Sequence, residues 1–216
     1  MDLSAQGIER LDGNRLAPAV IDQVVESHMR VGRVTGLALA VLSRNEVSYV
    51  KAYGMREAAA AAPLLSDTLL YDASFTKSAF AYMMMQFVAE GTLDLDRPVS
   101  EYLPKPWAEY EKWKELGHDP RSKLITARTL LNHKSGFANY RLFNSGEKLQ
   151  LFFAPGERYA YSGEGINLLG FVAEQVTGLG VAELMQKRVF DRFGMKRSSM
   201  VWRDHFAGNL AVGHAG

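Results

Sequence analysis

At 216 residues, with 47% hydrophobic and 23% charged side chains, the chain is long enough to bury a core and carries no compositional mark of disorder. Lys and Arg number 25 against 24 Asp and Glu, so the net charge is +1 and bulk charge recruits neither nucleic acid nor an acidic membrane surface. Cysteine is absent, which excludes disulfides and thiolate metal sites but does not choose between the cytoplasm and export with a signal peptide removed.

The opening residues, Met1 to Gly7, lack a basic segment followed by an apolar stretch, so no signal peptide is expected in them. No apolar run approaches the length needed to span a bilayer. From Leu16 to Val31 the apolar residues Leu16, Val20, Ile21, Val24 and Val25 fall at helical spacing and predict an amphipathic helix. Two β-rich runs follow, Leu37 to Leu42 and Val47 to Tyr53, separated by the polar Ser43-Arg44-Asn45-Glu46, which reads as a hairpin. The alanines 58 to 62 before Pro63 suggest a loop or short edge piece, and Leu69-Leu70-Tyr71 a short strand. From Ser74 to Glu90 the chain is apolar nearly all round, the mark of a central helix buried on every side, with Gly91 ending it. Leu93 to Pro106 reads as irregular with one short helical turn. Thr126 reads as the cap of a short helix ending near His133, with Gly136 permitting a tight turn beyond. Pro155-Gly156 marks a turn. Ile166 to Val176 and Val181 to Phe193 read as two further helices, closed by Gly178 and Gly194. From Met195 onward no element is read.

Three segments carry candidate chemistry. Ser74-Phe75-Thr76-Lys77 places a hydroxyl and an amine three residues apart, on one face of a helix. A serine in the first helical turn lies among unpaired N–H groups that favour an oxyanion, and a desolvated lysine loses its proton more easily. The pattern is short, and Ser145-Gly146-Glu147-Lys148 matches it too. On the four residues alone, a helix cap beside a solvated charge is the commoner outcome. Tyr159-Ala160-Tyr161-Ser162-Gly163 follows the Pro155-Gly156 turn. A loop tyrosine relays protons when a cation lowers its pKa, and otherwise packs with its hydroxyl bonded. Leu130-Leu131-Asn132-His133-Lys134-Ser135-Gly136-Phe137 contains a histidine that reads better as a structural hydrogen-bonding group at a helix end than as a catalytic one. His28, His118, His205 and His214 are scattered and form no ligand pair, so no metal is expected. Neither a dinucleotide fingerprint nor a phosphate-binding loop is present, so no cofactor is expected either.

Taken in order, these segments resemble the β-lactamase-related serine hydrolases: class C β-lactamases, DD-peptidases, D-aminopeptidases and the esterases similar to class C enzymes. Ser74 to Lys77 with Gly91-Thr92-Leu93-Asp94-Leu95-Asp96-Arg97-Pro98-Val99 resembles the family's nucleophile helix and its exit. Ile125-Thr126 through Gly136 resembles its Leu-Leu-x-His-x-Ser-Gly segment, and Pro155-Gly156 through Tyr161-Ser162 to Gly170 its Tyr-Ser segment. The resemblance runs to about Met200. It implies an α+β fold of the β-lactamase/transpeptidase type: an antiparallel sheet flanked by helices, a mostly helical lobe, and the active site between them. The division implied is a single domain, with residues 1–72 giving the first helix and the sheet strands and residues 73–194 the helical lobe. The resemblance further implies that Ser74 is acylated, that Lys77 helps deprotonate it, and that Tyr161 completes the base pair and protonates the leaving group.

Two departures shape the functional expectation. The lactamase-type second motif is Tyr-x-Asn, and here Gly163 stands in third place, which shifts weight from β-lactams and peptides to simple esters. The family's third motif, Lys-Thr-Gly or a variant on a later strand, has no counterpart before Gly216, so the C-terminal strands are expected to be missing. A strand that supplies an oxyanion donor is worth ~100–1,000-fold in rate, so the chain by itself is expected to be weakly active or inactive. An open sheet edge would also invite association with a second copy or another chain. The leading expectation is a carboxylesterase acting on a small-molecule ester. A β-lactamase or D-amino-acid peptidase acting on an amide, and a binding or scaffold protein of the same fold, stand beside it.

Overall fold

The computed structural model describes residues 7–214; Met1 to Gln6, most of the segment in which no signal peptide is expected, lie outside the described residues, as do Ala215 and Gly216. The chain divides into two compact units, one of residues 1–71 with 202–216 and one of residues 72–201.

In the first unit a two-residue ladder, β1 (Ile8–Glu9) with β2 (Arg15–Leu16), precedes helix α1 (Pro18–Gly32). The predicted hairpin is present as β3 (Gly36–Ser43) and β4 (Glu46–Glu57), antiparallel, with Val41 opposite Tyr49 and Leu37 opposite Tyr53. Its turn residues Arg44 and Asn45 both take left-handed φ, 52° and 65°, as a two-residue hairpin of this hand requires. The alanine run turns and ends in β5 (Ala62–Pro63), which adds a third antiparallel strand beside β4. The expected strand at Leu69 to Tyr71 does not form. Leu69 makes a single parallel bridge to Leu210, and with one residue in register no ladder can propagate.

The period-two geometry of a strand puts Tyr49, Lys51 and Tyr53 on one face of β4, and that face meets Asp22 of α1. Both phenols donate to Asp22 Oδ1, at 2.6 Å from Tyr49 and 2.8 Å from Tyr53, and Lys51 Nζ lies 2.8 Å from Asp22 Oδ2. The two hydroxyls are 2.6 Å apart, and the Lys51 ammonium sits 5.1 Å over the Tyr53 ring. Hydrogen bonds from Lys51, then from Tyr49 and Tyr53, hold the Asp22 carboxyl down at about 2. Burial pushes both tyrosines up, and the neighbouring carboxylate adds to it.

The second unit is helical. Its central helix α2 (Thr76–Ala89) follows a 3-10 turn at Ala73–Phe75. The sequence predicted burial all round, but the structure buries one stripe, Phe80, Met83, Met84 and Phe87, while Phe75, Tyr82 and Met85 are exposed. The spacing of that stripe is the i, i+3, i+4, i+7 of a one-sided helix; apolar composition alone does not say which face meets the core. Leu168, Leu169 and Val172 of α4 (Gly163–Thr177) and Leu184 and Met185 of α5 (Val181–Met185) complete this core with Trp113, Ile125 and Phe137. Helix α3 (Ala127–Leu131) is capped as expected by Thr126, in a reciprocal box with Thr129. Between α2 and α3 the chain runs through 3-10 turns at Val99–Tyr102, Trp107–Glu109, Lys114–His118 and Pro120–Leu124.

Two helix boundaries differ from expectation. Helix α4 begins at Gly163 rather than Ile166, because Ser162 Oγ accepts the Gly165 amide and caps it. The last helix is α-helical only to Met185 and opens into a π turn over Gln186–Phe190. There Asp191 N donates five residues back to Gln186 O, and the Gln86 side chain donates to the freed Arg188 carbonyl at 3.1 Å. Among the described residues no single helix is long and apolar enough to cross a membrane.

The Asp22 contact generates a stability prediction. Its folded pKa lies below the usual 3.8, so its contribution is present above that pH and is lost as pH falls toward 2. Asp22→Asn is expected to lower stability by about 2 kcal/mol at pH 7, read from the urea midpoint, with the difference from wild type shrinking below pH ~4. A penalty that stays constant between pH 7 and pH 2 would remove the carboxylate from this role.

Candidate active site

Ser74 lies in the 3-10 turn that opens α2, and Lys77 lies one turn on. The three-residue spacing does what the sequence predicts: Lys77 Nζ donates to Ser74 Oγ at 3.1 Å. Tyr161, 87 positions away, donates its hydroxyl to the same Oγ at 2.8 Å. The Lys77 ammonium also sits 5.1 Å over the Tyr161 ring. Ser74 and Tyr161 are exposed and Lys77 is half-buried. Ala73, immediately before Ser74, takes a left-handed φ of 43°, an uncommon conformation for a residue with a Cβ and one concentrated at functional turns. The second match, Ser145 to Lys148, contains left-handed Gly146 and Glu147, so no continuous helical face joins its serine and lysine.

The hydrogen bond from Lys77, and then that with Ser74, pull the Tyr161 phenol below its ordinary pKa. Serine Oγ accepts from both partners in this arrangement. To lose its own proton it needs one of them to turn acceptor, and Tyr161 is the partner whose deprotonated form the neighbouring cation favours.

His133 acts on the loop that carries Tyr161. Its Nδ1 accepts the Ser162 amide at 3.2 Å, its carbonyl accepts the Ala160 amide at 2.8 Å, and its ring lies 4.4 Å from that of Tyr161. Burial, then the Lys77 charge, lower the His133 pKa and keep Nδ1 free to accept. It is the structural histidine the sequence suggested. Beyond it, Gly136 has φ +89° and passes so close to the next stretch that a Cβ there would lie 2.4 Å from the Phe153 carbonyl oxygen.

Several residues of the site have no signature in the sequence reading. The segment 138–141 is laced to 162–164. Ser162 Oγ donates to Ala138 O at 2.8 Å, the Gly163 amide to Asn139 Oδ1 at 2.9 Å, and the Glu164 amide to Asn139 O at 2.9 Å. Glu164 is buried and paired with Arg141, whose backbone amide and Nε reach Oε1 at 3.1 Å and whose Nη2 reaches Oε2 at 3.0 Å. Arg141 also donates to the Lys112 carbonyl and stacks 5.0 Å from the Trp113 ring. Burial alone would raise the Glu164 pKa; the Arg141 bonds outweigh it and hold the group ionised. Beside Lys77 opens a cavity of about 520 Å³, lined by Lys77, Phe80, Trp113, Tyr140, Gly163 and Phe171 among others.

A family model described as Beta-lactamase matches residues 21–216. Esterase EstB of Burkholderia gladioli is 31% identical over 217 residues, covering 88% of this chain and 53% of its own. The lovastatin esterase of Penicillium rubens is 30% identical, covering 82% of this chain and 52% of its own. Among solved structures, the octameric penicillin-binding protein homologue from Pyrococcus abyssi matches with a TM-score of 0.72 at 25% identity, over 90% of this chain and 47% of that one. The chain thus spans about half the length of the curated relatives it matches.

The Arg141–Glu164 pair yields a second prediction. Arg141→Ala strands a buried carboxylate and is expected to cost about 3 kcal/mol of stability at pH 7 by urea denaturation. Burial then raises the Glu164 pKa with only the Lys112 charge against it, so the cost should shrink as pH is lowered and the carboxyl is protonated. An equal cost at pH 7 and pH 4 would show that the arginine acts by packing alone.

Proposed function

The chain belongs to the beta-lactamase family, and from that premise we propose that it is a serine hydrolase whose acyl-enzyme forms on Ser74, acting as a carboxylesterase on small esters. Its fold is of the β-lactamase/transpeptidase type expected from the sequence, α+β with an antiparallel sheet and a largely helical unit. The observation that carries the proposal is the convergence of Lys77 Nζ and Tyr161 Oη on Ser74 Oγ, at 3.1 and 2.8 Å.

In acylation the Ser74 oxygen attacks the ester carbonyl carbon while its proton passes to the deprotonated form of Tyr161, the form that the neighbouring Lys77 ammonium favours. The negative charge that develops on the carbonyl oxygen meets the Ser74 amide, which lies in a first helical turn and lacks an intrahelical acceptor. As the tetrahedral carbon collapses, the carbon–oxygen bond to the leaving group breaks and Tyr161 returns the proton to that oxygen. A water then repeats the sequence against the acyl-enzyme: it gives its proton to Tyr161, displaces Ser74, and the proton returns to Oγ as the acid departs. The preference for esters rests on Gly163, which has no side chain to contact an amide. Two curated relatives at 30% identity or above are named as esterases, which supports the same reading.

Intact mass after treatment with a fluorophosphonate probe tests the nucleophile. One adduct is expected on the wild type and none on Ser74→Ala; equal labelling of both ends this reading. Tyr161→Phe is expected to lower kcat/KM for a short-chain nitrophenyl ester by ~100-fold or more. Lys77→Met removes the hydrogen bond that chiefly lowers the Tyr161 pKa, so residual activity should rise only at higher pH than in wild type. A rising limb that stays in place would separate Lys77 from Tyr161.

A further inference from the structure

The bond between His133 and the Ser162 amide uses the ring nitrogen that an added proton would convert. A neutral imidazole that accepts at Nδ1 carries its hydrogen on Nε2, and a protonated one donates from both nitrogens. Nδ1 accepts the Ser162 N–H at 3.2 Å, so a proton there sets donor against donor.

Little on either side of that bond can give way. The His133 backbone is left-handed at φ 58°, its amide donates to Leu130 O at 3.3 Å and its carbonyl accepts the Ala160 amide at 2.8 Å. The next residue, Lys134, is tied through its amide to Thr129 O and through its carbonyl to the Gly156 amide, at 2.8 and 2.7 Å. Ser162 is buried, and its hydroxyl donates to Ala138 O and accepts the Gly165 amide. Between these anchors lies Tyr161, exposed, with its hydroxyl on Ser74 Oγ at 2.8 Å.

The groups that face the imidazole are few. The ring of Tyr161 lies 4.4 Å away, that of Tyr159 6.0 Å away and edge-on, and Lys134 follows in the same segment. The charge that acts on the imidazole is that of Lys77 on α2, whose ammonium sits 5.1 Å over the Tyr161 ring. Burial, then that charge, hold the imidazole below its ordinary 6.5, so it is neutral at pH 7 and takes its proton only in acid. The proton then adds a second cation beside the Tyr161 ring, and Lys77 repels it.

We propose that His133 is a positioning residue gated by a proton: the neutral ring keeps the Tyr161 hydroxyl on Ser74, and the protonated ring drives off the Ser162 amide and breaks that contact. The result is an acid switch on the nucleophile that is separate from the titration of Lys77 or Tyr161. The inference rests on the hydrolase reading for its effect on catalysis, and its test separates the two.

His133→Asn is the informative variant. Its side-chain oxygen can take the place of Nδ1 as an acceptor but binds no proton, and asparagine tolerates the left-handed φ of this position. The ratio of kcat/KM, wild type over His133→Asn, for 4-nitrophenyl butyrate is followed from pH 8 down to about pH 4. Titration of Tyr161 and Lys77 cancels in that ratio. It is expected to be flat above neutrality and to fall in acid, by about tenfold one unit below the His133 midpoint. In parallel, NMR follows the His133 ring and the Ser162 amide of the wild type. The amide proton is expected to shift with the midpoint of the ring, and to show no such step in His133→Asn. An amide that stays still while His133 titrates overturns the gate, whatever the chain does to esters. So does an imidazole that remains neutral down to pH 4, or a ratio that is flat or rises in acid. A chain that hydrolyses no ester and takes no adduct on Ser74, yet whose Ser162 amide follows the imidazole, overturns the hydrolase reading and leaves the coupling of His133 to the Tyr161 loop standing.

Discussion

Tyr161 meets Ser74 only because the loop that carries it is held still. The tyrosine is exposed and does not fix itself by burial. Its neighbours do the work: His133 accepts the Ser162 amide, Asn139 accepts the amides of Gly163 and Glu164, and Arg141 grips the Glu164 carboxylate. A hydroxyl displaced by one ångström from Oγ is no longer a hydrogen-bond partner. The buried ion pair is costly to desolvate and is weak evidence of stability in itself. Here its geometry ties two chain segments together beside the nucleophile, with a bidentate arginine that fixes direction as well as distance.

The first unit uses related chemistry for a structural end. Asp22 gathers two phenols and an ammonium from one face of β4, and so joins a helix with no fully buried residue to a three-stranded sheet. In both units a carboxylate collects donors that are remote in the chain. Asp22 and Tyr53 are 31 positions apart, and Arg141 and Glu164 are 23 apart.

That remoteness marks the limit of what the sequence made legible. Local signals were readable. Thr126 as a cap, the hairpin turn at Arg44-Asn45, and the three-residue reach from Ser74 to Lys77 each depend on a few adjacent residues. Tyr161 was reached through family resemblance, since nothing in its own pentapeptide says which of two tyrosines faces the serine. The Arg141–Glu164 pair had no local signature, because it is a property of two segments meeting. The turns between Val99 and Leu124 lacked a period to detect, and the stripe of α2 was hidden by its uniformly apolar composition. Helix α4 was read as starting late because two glycines at its first turn, Gly163 and Gly165, obscure a cap that Ser162 makes plain in three dimensions.

The left-handed Ala73 has one more implication. A residue at φ 43° does not continue a right-handed helix, so the 3-10 turn that leads into α2 cannot wind past Ala73 toward the N-terminus. Fraying or over-winding at a helix end is ordinarily cheap and would rotate the first-turn side chains by about 100° per residue. Here the left-handed backbone of Ala73 opposes such a rotation of the turn that carries Ser74. The aim of the nucleophile is therefore constrained one position upstream of it, in the backbone of Ala73.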